Sequence, residues 1–311
     1  MIKICRDYKY VKKFINSATV VIGNFDGIHF GHKKVIKKSK EIAKESKNSL
    51  VILTFFPHPL KVLRPGSEPE SILSFRTKIE MLDLMGVDII LAQNFTKAFS
   101  KISARKFVLD ILLDALSTKN IVIGNDFRFG HNREGDIKYL NSKEYIKKFK
   151  VHVIGEEKGK YGRYSSTSIR EMIKNGDMLK VKEDLGYFYV IEGRVTKGAQ
   201  LGRKLGFPTA NINYRGNVIP KDGVYAAWVY YDKKYYMAAV STGVRPHFKG
   251  KNRFLEAYLL DFSGDLYRKR IKVSLVKQIR EELVFSNIKD LQKEMSKDCD
   301  KAVNILNKNK I

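Results

Sequence analysis

From residue 18 to about 155, short unbroken apolar runs alternate with longer stretches in which apolar positions recur at helical spacing. The runs are ATVVIG (18–23), SLVILTFF (49–56), VDIILAQ (87–93), NIVIG (120–124) and VHVIG (151–155). Between them, HKKVIKKSKEIAKE and SFRTKIEMLDLM set apolar residues on one helical face and charges on the other. Runs this short with no polar alternation predict strands buried on both faces, hence a parallel sheet covered by helices, with ligands beyond the carboxyl ends of its strands. A helical stretch, REMIKNGDMLKVKEDLG, then leads to Gly186, and the pattern changes. The segments YFYVIEGRVT, GVYAAWVYY, KYYMAAVST, RFLEAYLLDF and RIKVSLVKQI are rich in Tyr, Val and Phe and are separated by turns such as YDKKY and DFSGDLY, the latter a short hairpin signal. They predict an antiparallel meander closing into a small barrel, capped by a last helix over about 288–306.

Length and composition set bounds on this picture. With 311 residues, 43% of them hydrophobic, the chain has room for two domains, placed at 1–185 and 186–311. The net charge of +26, from 59 Lys+Arg against 33 Asp+Glu, attracts nucleic acid, anionic membranes and phosphorylated small molecules alike. Because the basic residues are dispersed, a solvated Lys-rich surface explains them more simply than a nucleic-acid face. Cys5 and Cys299 offer neither a disulfide framework nor metal spacing, and no run approaches the roughly 18 apolar residues of a membrane span. The expectation is a cytoplasmic protein.

In VVIGNFDGIHFGH a strand ends at Gly23 and delivers Asp26, His29 and His32 to a helix start. Helix N-termini offer unpaired N–H groups to anions, and the two histidines share one side of the first turn, with Gly31 allowing a ligand close to the backbone. Such a site suits nucleotidyl transfer, in which charge building on phosphate is stabilised. Histidines that cap the helix, or bind a metal with Asp26, compete with this reading. Three further stretches follow strands and can converge on the same cleft: TFFPHPLKVLRP, GNDFRFGHNREGD and SSTSIREMIKNGD. In the last, Ser165, Ser166 and Thr167 precede a helix with Arg170 in its first turn. Ordinary capping accounts for one of the hydroxyls.

In the second half, VTKGAQLGRKLGFPTANI carries Gly198, Gly202 and Gly206 but lacks the Gly-Lys-Ser/Thr ending of a P-loop. Thr209 and Asn211, two apart in an extended segment, place oxygens suited to a hard cation on one side. Glu256 shares a face with Tyr258, opposite Leu255 and Ala257. Alternation alone leaves an outward-facing carboxylate and a catalytic one equally open.

GNFDGIHFGH, TFFPHP, GNDFRFGHNREGD and SSTSIR together resemble the adenylyltransferase half of the bifunctional prokaryotic riboflavin kinase and FAD synthetase family, and LGRKLGFPTANI, DGVYAAW, TGVRPHF, EAYLLDFSGDLY and IREELVF resemble its kinase motifs in order. The resemblance implies a Rossmann-like α/β nucleotidyltransferase domain followed by a riboflavin kinase barrel with a C-terminal helix. It implies phosphorylation of riboflavin to FMN and adenylylation of FMN to FAD, each step using ATP and Mg²⁺, with flavins as substrates and products. By position, Gly23, Asp26 and Gly31 belong to the first ATP site, where His29 and His32 stabilise phosphates. Asn125, Asp126 and Arg128 orient ATP and FMN, and Ser166, Thr167 and Arg170 hold the leaving β,γ end. In the barrel, Gly198, Gly202 and Arg203 embrace ATP, Thr209 and Asn211 coordinate Mg²⁺, Glu256 is general base, and Arg280 and Glu282 serve the flavin side. Ser168, Arg268 and the LGYFY joint depart from the family's usual residues.

Two other readings compete: a basic polyanion-binding protein, and a chain that retains only the kinase step. No RRM-like stacking signature supports the first. The partners expected are small molecules, without membrane or specific nucleic acid, and the sequence leaves homo-oligomerisation open.

Overall fold

A computed structural model describes residues 2–198, 202, 205–214, 216–244 and 253–311. Two compact units emerge: Met1–Pro69 with Phe75–Tyr164, and Glu70–Ser74 with Ser165–Ile311.

In the first unit, β1 (Lys3–Cys5), β2 (Ala18–Ile22), β3 (Ser49–Phe56), β4 (Ile89–Asn94), β5 (Thr118–Gly124) and β6 (Lys150–Ile154) form one sheet in the order β1-β4-β3-β2-β5-β6, every pair parallel. The unbroken apolar runs are explained by burial, since all five residues of β2 are buried. Helix α1 (Phe30–Glu45) turns Ile36, Ile42 and Ala43 inward, the stripe its periodicity predicted. The unit also holds α2 (Pro59–Leu63), α3 (Phe75–Leu84), α4 (Ala104–Lys106), α5 (Ile137–Leu140) and a small antiparallel pair, β7 (Lys158–Gly159) and β8 (Gly162–Arg163). Chain order reverses between β2 and β5, and a parallel sheet opens a crevice beyond its strand ends at such a switch. Strand β1 escaped the sequence reading because it is three residues long with only Cys5 buried.

The second unit holds two short helices, α6 (Ser166–Lys174) and α7 (Met178–Leu185), and a closed barrel. The single helical stretch predicted before Gly186 is broken by Gly176, whose φ of +82° a regular helix does not accommodate. Six antiparallel strands, β9 (Tyr189–Thr196), β10 (Ala210–Asn213), β11 (Gly223–Tyr231), β12 (Lys234–Val244), β13 (Arg253–Leu259) and β14 (Arg270–Arg280), close in the order β10-β13-β12-β11-β14-β9. The barrel was predicted, but a simple meander was not the route. β10 pairs with β13 rather than β11, and β14 pairs with β11 and β9. DFSGDLY is therefore a crossing between strands that are not neighbours, and the hairpin expected there is absent. YDKKY is a true two-residue turn: Tyr231 faces Lys234, and Asp232 and Lys233 carry φ of +48° and +62°. The C-terminal helix α8 (Ile288–Asn307) lies on the outer face of the barrel over Val224, Ala226 and Ala239. Among the described residues no helix is long and apolar enough to cross a membrane.

Candidate active sites

In the first unit the loop after β2 is built under strain. Phe25 and Ile28 adopt φ of +48° and +40°, a region costly for a bulky or β-branched residue. Both side chains are buried, and that burial offsets a backbone cost on the order of 1–3 kcal/mol per residue. The loop delivers His29 as the N-cap of α1, where its Nδ1 accepts the His32 N–H at 3.3 Å. Accepting at Nδ1 leaves the proton of a neutral ring on Nε2. The His32 ring stacks on that of His29, centroids 3.7 Å apart, and its Nδ1 is buried with no hydrogen-bond partner among the described residues.

Burial dominates the electrostatics of the pair. It pushes His29 down to about 4, with Asp26 opposing and Arg163 adding to the fall. Burial, then His29 and then Lys78, hold His32 well below the ordinary imidazole range. Both rings are thus neutral at pH 7. They can act as hydrogen-bond donors but not as cations. A Cβ on Gly31 would sit 3.2 Å from the His29 ring and 3.4 Å from Cβ of Tyr164, so its smallness also makes room for the imidazole.

Beyond the carboxyl ends of β2, β3 and β5 lies a cavity of about 810 Å³. Phe55, Phe95 and Phe127 give it an apolar wall, and Asn24, Asp126 and Arg128 contribute polar groups. Gly23 also lines it, so stretches from GNFDGIHFGH, TFFPHP and GNDFRFGHNREGD converge as expected. Asn125 and Asp126 are exposed, while Nη1 of Arg128 pairs with Oδ2 of Asp136 at 2.6 Å. The Tyr139 N–H and then Arg128 hold that carboxyl below the usual range.

Two groups here escaped the sequence reading. His58 Nε2 lies 3.2 Å from Nδ2 of Asn24, and Lys78 Nζ donates to the Asn24 carbonyl at 2.7 Å. His58 was visible inside TFFPHP; Lys78 is one basic residue among 59 and carried no signal. A hollow of comparable size beside Lys3, Asn16 and Asp83 lies at the opposite, amino end of the strands, away from these groups.

The SSTSIR stretch belongs to the second unit. Ser165 is the N-cap of α6, its Oγ accepting the Thr167 N–H at 3.2 Å; Ser166 is half-buried and Thr167 exposed. Arg170 donates from Nε to the Glu70 carbonyl at 2.7 Å.

The barrel site is set by strand register. Asn211 lies directly opposite Glu256, and Ala210 opposite Ala257. Ala210, Ile212, Leu255 and Ala257 are buried, so alternation puts Thr209, Asn211, Glu256 and Tyr258 together on the outer face. Thr209 Oγ1 donates to Glu256 Oε2 at 3.2 Å. Gly198 and Gly202 lie close to this trio. A Cβ on Gly198 would fall 2.3 Å from the Asn211 amide, and one on Gly202 would fall 2.3 Å from the Phe207 carbonyl and 3.3 Å from Thr209 Oγ1. A crevice of about 90 Å³ opens beside Thr209, toward Phe262 and Tyr267.

The hydroxyl, amide and single carboxylate are all hard oxygen donors. They fit Mg²⁺, which uses few protein ligands and completes its shell with water and phosphate, better than a metal needing several His, Cys or acidic ligands. Among the described residues no cluster of the latter kind occurs. Glu282 lies against Gly243, on β12. Arg280 is drawn elsewhere. Its guanidinium bonds both oxygens of buried Asp298 on α8 at 2.8–3.0 Å and the Glu281 carbonyl at 3.0 Å, so the structure uses it to pin the end of β14. Arg203 and most of TGVRPHF lie outside the described residues.

Family models and relatives match nearly the whole chain. The FAD synthetase model matches residues 11–168 and the riboflavin kinase model matches residues 185–306. The bifunctional riboflavin kinase/FMN adenylyltransferase of Buchnera aphidicola from Acyrthosiphon pisum is 38% identical, with 95% of this chain and 96% of that protein aligned. The Escherichia coli K12 protein of the same name is 34% identical over 90% of each chain. A crystal structure described as a macrolide-efflux protein from Streptococcus pneumoniae matches with a TM-score of 0.86 at 28% identity, covering 98% of this chain and 99% of that one. The chain belongs to the bifunctional riboflavin kinase/FMN adenylyltransferase family, with its FAD synthetase part N-terminal and its flavokinase part C-terminal.

Proposed function

We propose that the two activities run on separate residue sets, adenylyl transfer within 1–185 and riboflavin phosphorylation within 186–311, with ATP as co-substrate of both and Mg²⁺ as the ion. The observation that carries this reading is the Thr209–Glu256 hydrogen bond beside Asn211, with Gly198 and Gly202 close enough that a Cβ on either would collide with its neighbours.

In the kinase step, Glu256 accepts the proton of the terminal ribityl hydroxyl as that oxygen bonds to the γ-phosphorus and the bond to ADP breaks. Thr209 orients the carboxylate through Oε2. With Asn211 it would hold Mg²⁺, which when bound neutralises charge on the phosphates. Gly198 and Gly202, with Arg203, cradle the nucleotide, while Glu282, and Arg280 by fixing the end of β14, serve the flavin side. Riboflavin thus becomes FMN in the barrel.

In the adenylyl step, an FMN phosphate oxygen bonds to the α-phosphorus of ATP and pyrophosphate leaves. The protein's part is to hold and stabilise, without a covalent intermediate. His29 and His32 contribute as neutral donors at the head of α1, Asn125, Asp126 and Arg128 orient the reactants, and Ser166, Thr167 and Arg170 hold the leaving end. The phenylalanine-walled cavity has the volume and character to take a flavin ring.

The test is to incubate the purified chain with riboflavin, ATP and Mg²⁺ and separate the flavins over time. FMN should rise first and then give way to FAD. FAD without intermediate FMN would refute the proposed order of sites, and omission of Mg²⁺ should stop both conversions.

A further inference from the structure

The five residues Glu70–Ser74 interrupt the sequence of the first unit yet pack entirely with the second. They form a strap tied down along its length. The Ser71 N–H donates to the Gly216 carbonyl at 2.8 Å, and the Val218 N–H donates to the Ser71 carbonyl at 3.0 Å, a parallel bridge centred on Ser71 and Asn217. Ile72 and Leu73 are buried, and Ser74 Oγ donates to Glu192 Oε2 on β9 at 2.6 Å.

Asn217 is the notable member of this set. It is only 4% exposed, and its side-chain amide donates to the carbonyls of Ser71 at 3.4 Å and Ile72 at 3.3 Å. A buried amide is costly unless its hydrogens are satisfied, and here the strap satisfies them. At its upstream end the strap offers the Glu70 carbonyl to Arg170 Nε at 2.7 Å. The Glu70 carboxylate also meets Lys174 Nζ at 3.3 Å, but both side chains are about half exposed, so that pair adds little.

A guanidinium recognises phosphate through a planar fork, and its usefulness depends on the orientation of that plane. A bond at Nε restricts that orientation. The strap thus supplies a restraint at Nε, and Asn217, between β10 and β11, holds the strap.

We infer that Asn217 is a positioning residue for adenylyl transfer, acting on Arg170 through Glu70–Ser74; the inference rests on the role proposed above for Arg170. Although its loop directly follows the strand bearing Asn211 of the kinase site, Asn217 would matter for the other reaction.

The experiment compares Asn217→Ala, Arg170→Ala and the double variant in the full chain. Riboflavin phosphorylation and the conversion of supplied FMN to FAD are measured separately. Asn217→Ala should raise the KM for ATP of FAD formation roughly 10-fold or more, the scale expected when a reacting group is misplaced. It should leave the kinase parameters within about twofold. In the Arg170→Ala background the same change should add nothing, because the residue it positions is gone. Where the alanine variant does not fold, Asn217→Ser, which keeps one donor, should show a smaller but equally selective effect. Equal losses in both reactions, or additive losses in the double variant, would overturn the inference and leave Asn217 a packing residue. Normal FAD formation by Arg170→Ala would instead remove the role assigned to that arginine.

Discussion

The two sites are built by opposite means. In the parallel-sheet unit the residues proposed for the chemistry lie partly in loops beyond strand ends, one of them a strained backbone turn whose Phe25 and Ile28 side chains are buried as anchors. Its key side chains are neutral, burial having driven both imidazoles off their ordinary titration range. In the barrel the chemistry sits on strands, and ladder register alone brings Asn211 and Glu256 together. A site made of loops can gather residues from distant sequence but must hold them by packing. A site made of register needs little support, and what it does need is space, supplied by two glycines.

The comparison breaks most sharply at the barrel carboxylate. Glu256→Gln keeps the shape and the Thr209 contact but loses the base, so FMN formation should fall about 10²–10⁴-fold. The same variant should still turn supplied FMN into FAD, as read by flavin chromatography; loss of both steps would mean the sites are not independent.

Stability gives the next effect. Arg280→Ala leaves Asp298 buried without its partner, a change that costs about 3–5 kcal/mol, and thermal unfolding of the barrel should move down accordingly. An unshifted melting curve would show that the end of β14 does not depend on this pair.

His32→Ala should arrest the pathway at FMN, with FAD formation down about 10²–10³-fold and the kinase step intact. Undiminished FAD production would remove the histidine from the adenylyl site.

The neutral imidazoles also set a pH dependence. His29 is lowered in the folded protein to about 4 from 6.5, so the unfolded chain binds more protons between those values. Its contribution, roughly 3 kcal/mol, is present above pH 6.5 and is lost as pH falls toward 4. The first unit should therefore lose stability over that interval, and His29→Asn, which keeps a capping oxygen, should flatten the slope. A slope unchanged in the variant would assign it to other groups.

The smallest effect expected is at Gly198. Alanine there must displace the Asn211 amide, so the Mg²⁺ concentration needed for half-maximal kinase rate should rise severalfold, with adenylyl transfer unaffected.

Much of this was legible in the sequence, for physical reasons. The five long parallel strands were visible because burial on both faces leaves an unbroken apolar run, and the face shared by Glu256 and Tyr258 was visible because strands have a period of two. What stayed hidden depends on contacts far apart in the chain. β10 is only four residues long, two of them asparagine; it reads as an extended segment, but its place in the barrel appears only when β9 and β13 flank it. The pairing of Arg280 with Asp298 was hidden because α8 carries several acidic residues, and only packing reveals that Asp298 is the one buried against β14. The reason for Gly31 required the positions of His29 and Tyr164. The strap could not be anticipated, since ESILS lies between two helical segments of the first unit and bonds to residues 100 and 145 positions away.

The most direct measurement mixes the two damaged proteins. Glu256→Gln lacks the proposed kinase base and His32→Ala the proposed adenylyl donor, so neither alone should carry riboflavin to FAD. Combined with riboflavin, ATP and Mg²⁺, they should produce FAD after a lag, with FMN made by one molecule and consumed by the other. A mixture that makes FMN but no FAD, or neither, would contradict two separate and complete sites in one chain.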